Sequence, residues 1–356
     1  DWVQWFHSYQ WTQDSAAIFF TKYHNGTSSI GKVTLSTSKV ETIDTQPYTW
    51  ITHLSASHVT EEIACIASSQ SGPGQILRIS EKRLFPVPLS KKRPRKKISK
   101  GQEIIFPTED GSKAYAWYYP PITQRKNGEI AGCILNIHSG PTSVKHLGYS
   151  TETDIFTSQG FTVVYLNYHG SVTFGYNFQN ALYRKWGEIE VQDSISLINH
   201  LTSQNLADPN KIAVMGSSAG GFSVLHLLIQ NPGLFQAGIC SYGVSDLVDD
   251  AEHTHKFEKY YHRFLTGEFP SERERFIARS PLSHLKQIKD PLLLFHGSED
   301  RVVFPIQSQK IFDSLSQRGI PCQLIIFEGE GHGFRKQDTI TDYYQTTINF
   351  LNKYLK

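Results

Sequence analysis

The chain has 356 residues, enough for a sizeable core and more than one domain. Hydrophobic residues make up 39% and aromatics 12%, an ordinary globular composition, and the formal net charge of +2 calls for neither a nucleic-acid nor a membrane partner. No apolar run reaches the roughly eighteen residues of a membrane span, and no signal-peptide h-region is visible, so a soluble protein is expected.

Cys65, Cys133, Cys240 and Cys322 are scattered, and three of them sit in apolar strand-like runs. That is the pattern of reduced core thiols rather than a disulfide framework, and it leads to the expectation of a cytoplasmic protein. Asn25-Gly26-Thr27 fits a glycosylation sequon but reads as a turn. The chain opens on Asp1 rather than Met, which leads to the expectation that sequence precedes it.

Residues 1–88 alternate short β-type runs with turn signals. Ala17 to Phe20, Asn25-Gly26 and then Ile30 to Leu35 spell a hairpin. Ile63 to Ala67 and Gln75 to Ile79 form a second pair around Ser71-Gly72-Pro73-Gly74. Each unit has the size of a propeller blade, roughly 40 to 50 residues. The expected reading is the last blades of a β-propeller, with a small free-standing β-domain as the alternative. Residues 89–101, containing Lys91-Lys92-Arg93-Pro94-Arg95-Lys96-Lys97, read as a basic linker, since no aromatic residues interleave the charges.

From residue 102 to 356 the pattern changes. Glu103 to Phe106 and Tyr115 to Tyr119, around Asp110-Gly111, predict an antiparallel opening. Strand-like runs then fall at Cys133 to Ile137, Thr162 to Leu166, Ile212 to Met215, Ala237 to Cys240, Leu292 to Phe295 and Gln323 to Phe327. Helical stretches lie between them, around Trp186 to Thr202, Phe222 to Gln230, Pro305 to Gln317 and Thr341 to Tyr354. Such alternation predicts an α/β domain with a mostly parallel sheet covered on both faces. In sheets of this kind the site lies at the carboxyl ends of the strands.

Six strand ends carry polar, glycine-rich residues: His138-Ser139-Gly140-Pro141, Asn167 to Ser171, Gly216-Ser217-Ser218-Ala219-Gly220, Tyr242 to Asp246, His296 to Asp300, and Glu328 to Gly333. The third has strand, G-x-S-x-G, helix, the context of a nucleophile elbow in an α/β-hydrolase fold, and makes Ser218 the candidate nucleophile. His332, between two glycines in a loop, is the candidate base. Asp300 is the preferred acid because it follows the strand before the histidine-bearing one; Asp246 and the adjacent Glu299 are its rivals. The order Ser218, Asp300, His332 is that of an α/β-hydrolase triad. An oxyanion hole is expected from the backbone N–H groups of Ala219 and Gly140.

These residues resemble the prolyl oligopeptidase family of serine peptidases, which join an α/β-hydrolase domain to a β-propeller. The resemblance covers about residues 100 to 356 and rests on His138-Ser139-Gly140-Pro141, Trp186-Gly187 with Asp193, the Ser218 elbow with its second glycine, His296-Gly297 with Asp300 and Val303, and Gly331-His332. Tyr242 to Leu247, Thr254-His255-Lys256-Phe257-Glu258 and Glu328 to Arg335 are similar to the bacterial dipeptidyl aminopeptidase and acylaminoacyl peptidase-like branch that includes puromycin hydrolase. The resemblance implies release of N-terminal residues from small peptides or aminoacyl amides, and missing propeller blades ahead of Asp1. Two departures stand out. Ser139 replaces the first glycine of the family's H-G-G-P, and His169 stands where many relatives carry arginine or glycine.

An N-terminal amine calls for a carboxylate, with Glu258 the candidate. Val244, Leu247 and Val303 are candidates to line the pocket, with core packing as the equal alternative. His253, His255 and His262 lack a carboxylate or cysteine at ligand spacing, so a solvated helix or loop is expected there rather than a metal site. No P-loop or dinucleotide fingerprint follows any strand, so no cofactor is expected. An acylaminoacyl peptidase or oligopeptidase with the same site is the near alternative, a carboxylesterase and a non-catalytic binding module are the alternatives from other classes, and a homo-oligomer stays open.

Overall fold

The structure, a computed structural model, describes residues 7–81, 83–87, 97–123, 129–254, 256 and 258–355. The chain divides into two compact units: one comprises residues 1–101 with 146–155 and 173–175, and the other holds the rest.

The first unit contains two four-stranded antiparallel sheets, as in a β-propeller fragment. One takes the strands in order, β1 (Tyr9–Trp11), β2 (Ala17–His24), β3 (Thr27–Thr34) and β4 (Lys39–Ile43). The other is β5 (Trp50–Ala56), β6 (Ile63–Ser69), β7 (Gly72–Ser80) and β8 (Arg83–Val87). The β2–β3 hairpin turns on Asn25 and Gly26, at φ 44° and 66°, with His24 facing Thr27. Two left-handed residues match the twist of the flanking strands, which is why Asn-Gly marked this turn. The β6–β7 turn is tighter than its sequence implies. Ser69 pairs with Gly72, so Gly72-Pro73-Gly74 belong to the strand, at its end where a proline costs no ladder bond. Ile30, Ile51, Ala67 and Leu77 lie at the centre of this unit's core. The basic run Lys91 to Lys96 lies outside the described residues.

The second unit is built on an eight-stranded sheet in the order β16-β15-β14-β13-β11-β12-β10-β9. Here β9 (Gln102–Pro107) and β10 (Lys113–Tyr119) form the antiparallel edge. The strands β11 (Cys133–Ile137), β12 (Thr162–Asn167), β13 (Ile212–Ser217), β14 (Ala237–Ser241), β15 (Leu292–Gly297) and β16 (Cys322–Phe327) run parallel. Every residue of β11, β12, β14 and β15 is buried, as expected of strands covered on both faces. This is the α/β-hydrolase fold.

In chain order the helices are α1 (Thr151–Ser158), α2 (Tyr176–Asn180), α3 (Ile189–Ser203), α4 (Ala219–Gln230), α5 (Leu247–His253), α6 (Tyr261–Leu265), α7 (Arg273–Arg279), α8 (Ile306–Gln317) and α9 (Gln337–Leu355). α4 is buried on every face from Ala219 to Ile229, the mark of a helix packed in the middle of the domain. α3 starts three residues later than its apolar pattern predicts, because Gly187 adopts φ 91° and breaks the turn at Trp186. The short helices α5, α6 and α7 are absent from the sequence expectation; each spans too few turns to show a 3.6-residue period.

Candidate active site

The elbow is shaped by steric exclusion. A Cβ on Gly216 would lie 2.4 Å from the Gly220 carbonyl oxygen, and one on Gly220 would lie 2.3 Å from that of Ile137. Only glycine fits either position, so both glycines of G-x-S-x-G follow from the turn itself. Between them Ser218 sits at φ 53°, ψ −119°, a conformation that costs about 1–3 kcal/mol and is kept only where the surroundings fix it. Its N–H donates to the Ser241 carbonyl at 3.0 Å, which pins the turn to the end of β14. Ala219 opens α4, so its N–H is among those with no partner within the helix and carries the positive end of the dipole.

Three side chains far apart in sequence meet at this turn. His332 Nε2 lies 3.0 Å from Ser218 Oγ, and His332 Nδ1 lies 2.8 Å from Asp300 Oδ2. The loop that carries Asp300 closes on itself. Asp300 Oδ1 accepts from the N–H groups of Val302 and Val303 at 2.9 and 3.0 Å. His296, fully buried at the end of β15, contacts the Val303 carbonyl through Nε2 at 2.8 Å and the Ser308 hydroxyl through Nδ1 at 2.7 Å. Burial works against the charged form of Asp300. The hydrogen bonds from His296 and His332, with the His332 charge, outweigh it and hold the carboxyl well below the usual range. Asp300 is therefore ionised at neutral pH.

The loop after β11 is equally fixed. Gly140 adopts φ 76°, and the Ser139 hydroxyl donates to the Ser217 carbonyl at 3.1 Å, so the serine that departs from the family pattern ties this loop to the elbow. His138 stacks on Tyr168 with centroids 4.6 Å apart and contacts Ser171 Oγ and the Gly140 carbonyl at 2.9 and 3.1 Å. Burial pushes its imidazole down to about 4, which keeps the ring neutral.

The rival acids are engaged elsewhere. Asp246 caps α5, accepting from the N–H groups of Val248 and Asp249 at 3.1 and 3.2 Å. Glu299 is exposed. Val244, Leu247 and Val303 lie in the main core, the last two at 0% and 1% exposure, so their side chains pack inward. Glu258 is half-buried. Together with burial, its charge and those of Asp249 and Asp246 push Asp250 up to about 7. The histidines read as solvated are not all so. His253 is exposed beside Asp249, but His262 is buried with Nε2 3.4 Å from Asp250, because it falls on the inner face of α6. His255 and Phe257 lie outside the described residues.

Tyr242 is the contact that sequence reasoning missed. It takes φ 39°, unusual for a residue with a side chain, and sets its ring edge-on to His332 at 4.7 Å. In sequence it stood at a strand end and in the stretch Tyr242 to Leu247 that carries the family resemblance, with nothing there to aim its ring at His332.

The fold and this constellation define an α/β-hydrolase with a nucleophile elbow. The sequence profile of the prolyl oligopeptidase family matches residues 147–356, and the chain belongs to that family. An acylamino-acid-releasing enzyme of Arabidopsis thaliana is 28% identical over 252 residues, 68% of this chain and 32% of the relative. Dipeptidyl aminopeptidase BIII of Pseudoxanthomonas mexicana is 28% identical over 223 residues, 61% of this chain and 32% of the relative. Among solved structures, a Mycobacterium tuberculosis puromycin-hydrolyzing peptidase superposes with a TM-score of 0.90 at 29% identity, covering 98% of this chain and 53% of that one. The match thus spans about a third of each of these two curated relatives and about half of the solved structure.

Proposed function

We propose that this protein is a serine peptidase that cleaves peptide or aminoacyl-amide bonds through an acyl-enzyme on Ser218, acting as an aminopeptidase on small peptides, with residues 102–356 as its catalytic domain. The observation that carries this is the continuous Asp300–His332–Ser218 hydrogen-bond chain, at 2.8 and 3.0 Å, ending on a strained elbow. Ionised Asp300 accepts from His332 Nδ1–H and so leaves Nε2 free to accept the Ser218 proton. Oγ attacks the scissile carbonyl, and the N–H groups of Ala219 and Gly140 bind the oxyanion. His332 then gives the proton to the leaving amine, and water releases the acyl group by the same route in reverse.

The aminopeptidase reading is supported by the likeness to a puromycin-hydrolyzing peptidase and a dipeptidyl aminopeptidase. The acylamino-acid-releasing relative favours a second reading, removal of N-blocked residues by the same machinery. Four free thiols, three of them buried, support a reducing, cytoplasmic setting. No helix among the described residues is long and apolar enough to cross a membrane.

The test is labelling with a fluorophosphonate followed by location of the modified residue, then turnover of free and N-acetylated aminoacyl anilides. Wild type is expected to label on Ser218 and to prefer free amines, and Ser218→Ala to lose about 10⁶ in kcat with folding preserved. Turnover of blocked substrates alone sinks the aminopeptidase reading. Ester turnover without amide turnover points to a carboxylesterase, and absence of labelling refutes the nucleophile.

A further inference from the structure

His169, two residues past the end of β12, is held through its backbone, both ring nitrogens and the face of its ring. Its backbone N–H donates to Asp193 Oδ2 at 2.7 Å, and its ring Nδ1 meets the same oxygen at 2.9 Å. Nε2 lies 3.0 Å from the Ser112 hydroxyl, and the ring stacks on Phe178 with centroids 4.4 Å apart. Asp193, on α3, is 2% exposed, so little water competes for that carboxylate.

What His169 anchors is the loop after β12, and that loop is the mould for the one carrying Gly140. Tyr168 lies beneath the His138 ring and donates its hydroxyl to the Pro141 carbonyl at 2.8 Å. Ser171 holds His138 Nε2 at 2.9 Å, and Val172 N–H donates to the Ser143 carbonyl at 3.0 Å. The residues on either side of His169 therefore grip His138, Pro141 and Ser143, which flank Gly140.

We propose that the Asp193–His169 pair is a positioning device for the oxyanion loop: it fixes residues 168–172, which in turn hold the Gly140 N–H in place. The effect on catalysis rests on the peptidase reading above; the effect on the loop does not. An oxyanion donor acts only when charge develops, so loosening it lowers kcat and leaves KM nearly unchanged.

The test uses the full chain in wild-type, Asp193→Ala, His169→Ala and His169→Asn forms. Asparagine sets its amide nitrogen where Nδ1 stood and can still donate to Asp193. Backbone hydrogen exchange is followed by mass spectrometry in the peptides spanning 138–143 and 214–222. The alanine variants are expected to raise exchange in the first peptide by about tenfold or more and leave the elbow peptide unchanged. They should lower kcat by about ten- to a hundredfold, less than outright loss of a donor, with KM within about twofold. His169→Asn should restore most of both. Unchanged exchange at 138–143, equal loosening of both peptides, or a loss carried by KM overturns the proposal. Selective loosening in the alanine variants, with a wild type that neither labels nor turns over substrate, would uphold the positioning role and defeat the peptidase reading. Should Asp193→Ala fail to fold, the contrast between His169→Ala and His169→Asn decides alone.

Discussion

Glu190 offers a test of the domain's electrostatics that does not pass through catalysis. It lies in the first turn of α3 with no solvent exposure. Its Oε1 accepts from Gly187 N–H at 2.7 Å and from the Ser223 hydroxyl at 3.3 Å, whereas the buried Oε2 has no hydrogen-bond partner among the described residues. Burial is the main influence and pushes the carboxyl up to about 7, against the hydrogen bonds and the Arg279 charge that favour ionisation. The folded value is above the ordinary one, so the unfolded chain gives up its proton first. Stability is then fully present below about pH 4.5 and lost as pH rises toward 7. Each pH unit between the unfolded and folded values is worth about 1.4 kcal/mol, so the loss comes to about 2 kcal/mol by pH 6 and about 3 kcal/mol at pH 7 to 8. Glu190→Gln keeps the shape of the protonated acid and cannot ionise. Denaturant melts at pH 5, 6, 7 and 8 should find the variant close to wild type at pH 5 and more stable by about 3 kcal/mol at pH 8. Taking the difference between the two proteins cancels the buried histidines, which titrate alike in both. Parallel pH profiles would show that Glu190 is ionised in the fold and refute the reasoning.

The choice of acid and the shape of the elbow give two further tests. Asp300→Asn removes the group that fixes the His332 tautomer and should cost about 10⁴ in kcat, whereas Asp246→Asn leaves a competent helix cap and should stay within a few-fold. A more damaging Asp246→Asn would mean that the acid is wrongly assigned. Gly220→Ala drives a Cβ to 2.3 Å from the Ile137 carbonyl and should destabilise the domain by at least about 2 kcal/mol in denaturant melts. Full stability would show that the β11–α4 approach can relax.

The central strands of the hydrolase sheet were legible because they are buried on both faces and read as largely apolar runs; Cys133–Ile137 begins and ends where its pattern does. One strand that went unread is of the opposite kind. β4 is Lys39-Val40-Glu41-Thr42-Ile43, an exposed edge held by backbone pairing with β3, and its side chains carry no period. α4 was legible from its apolar content, but it starts at Ala219, three residues before the Phe222 at which its apolar run begins. The left-handed Tyr242 and the inward turn of His262 were not, because each is imposed by neighbours distant in sequence.

The candidate site divides along the same line. Ser218, Asp300 and His332 each sit in the segment that follows a strand, and in a parallel sheet the strand ends share an edge, so topology brings these segments near one another. What aligns them is a set of bonds between segments that have no reason to look related. Asp193 reaches back 24 positions to His169, and Ser139 reaches forward 78 positions to the Ser217 carbonyl. Apart from the family resemblance, Asp193 in sequence is one acidic residue on a helix, and a solvated surface carboxylate would look the same. Its burial becomes visible only once β12 and α3 are packed together. A nucleophile can thus be read from a local turn, because the turn's sterics dictate its neighbours. The proposed partnership of Asp193 with His169 leaves no such local trace, because neither residue's neighbours dictate that the two meet.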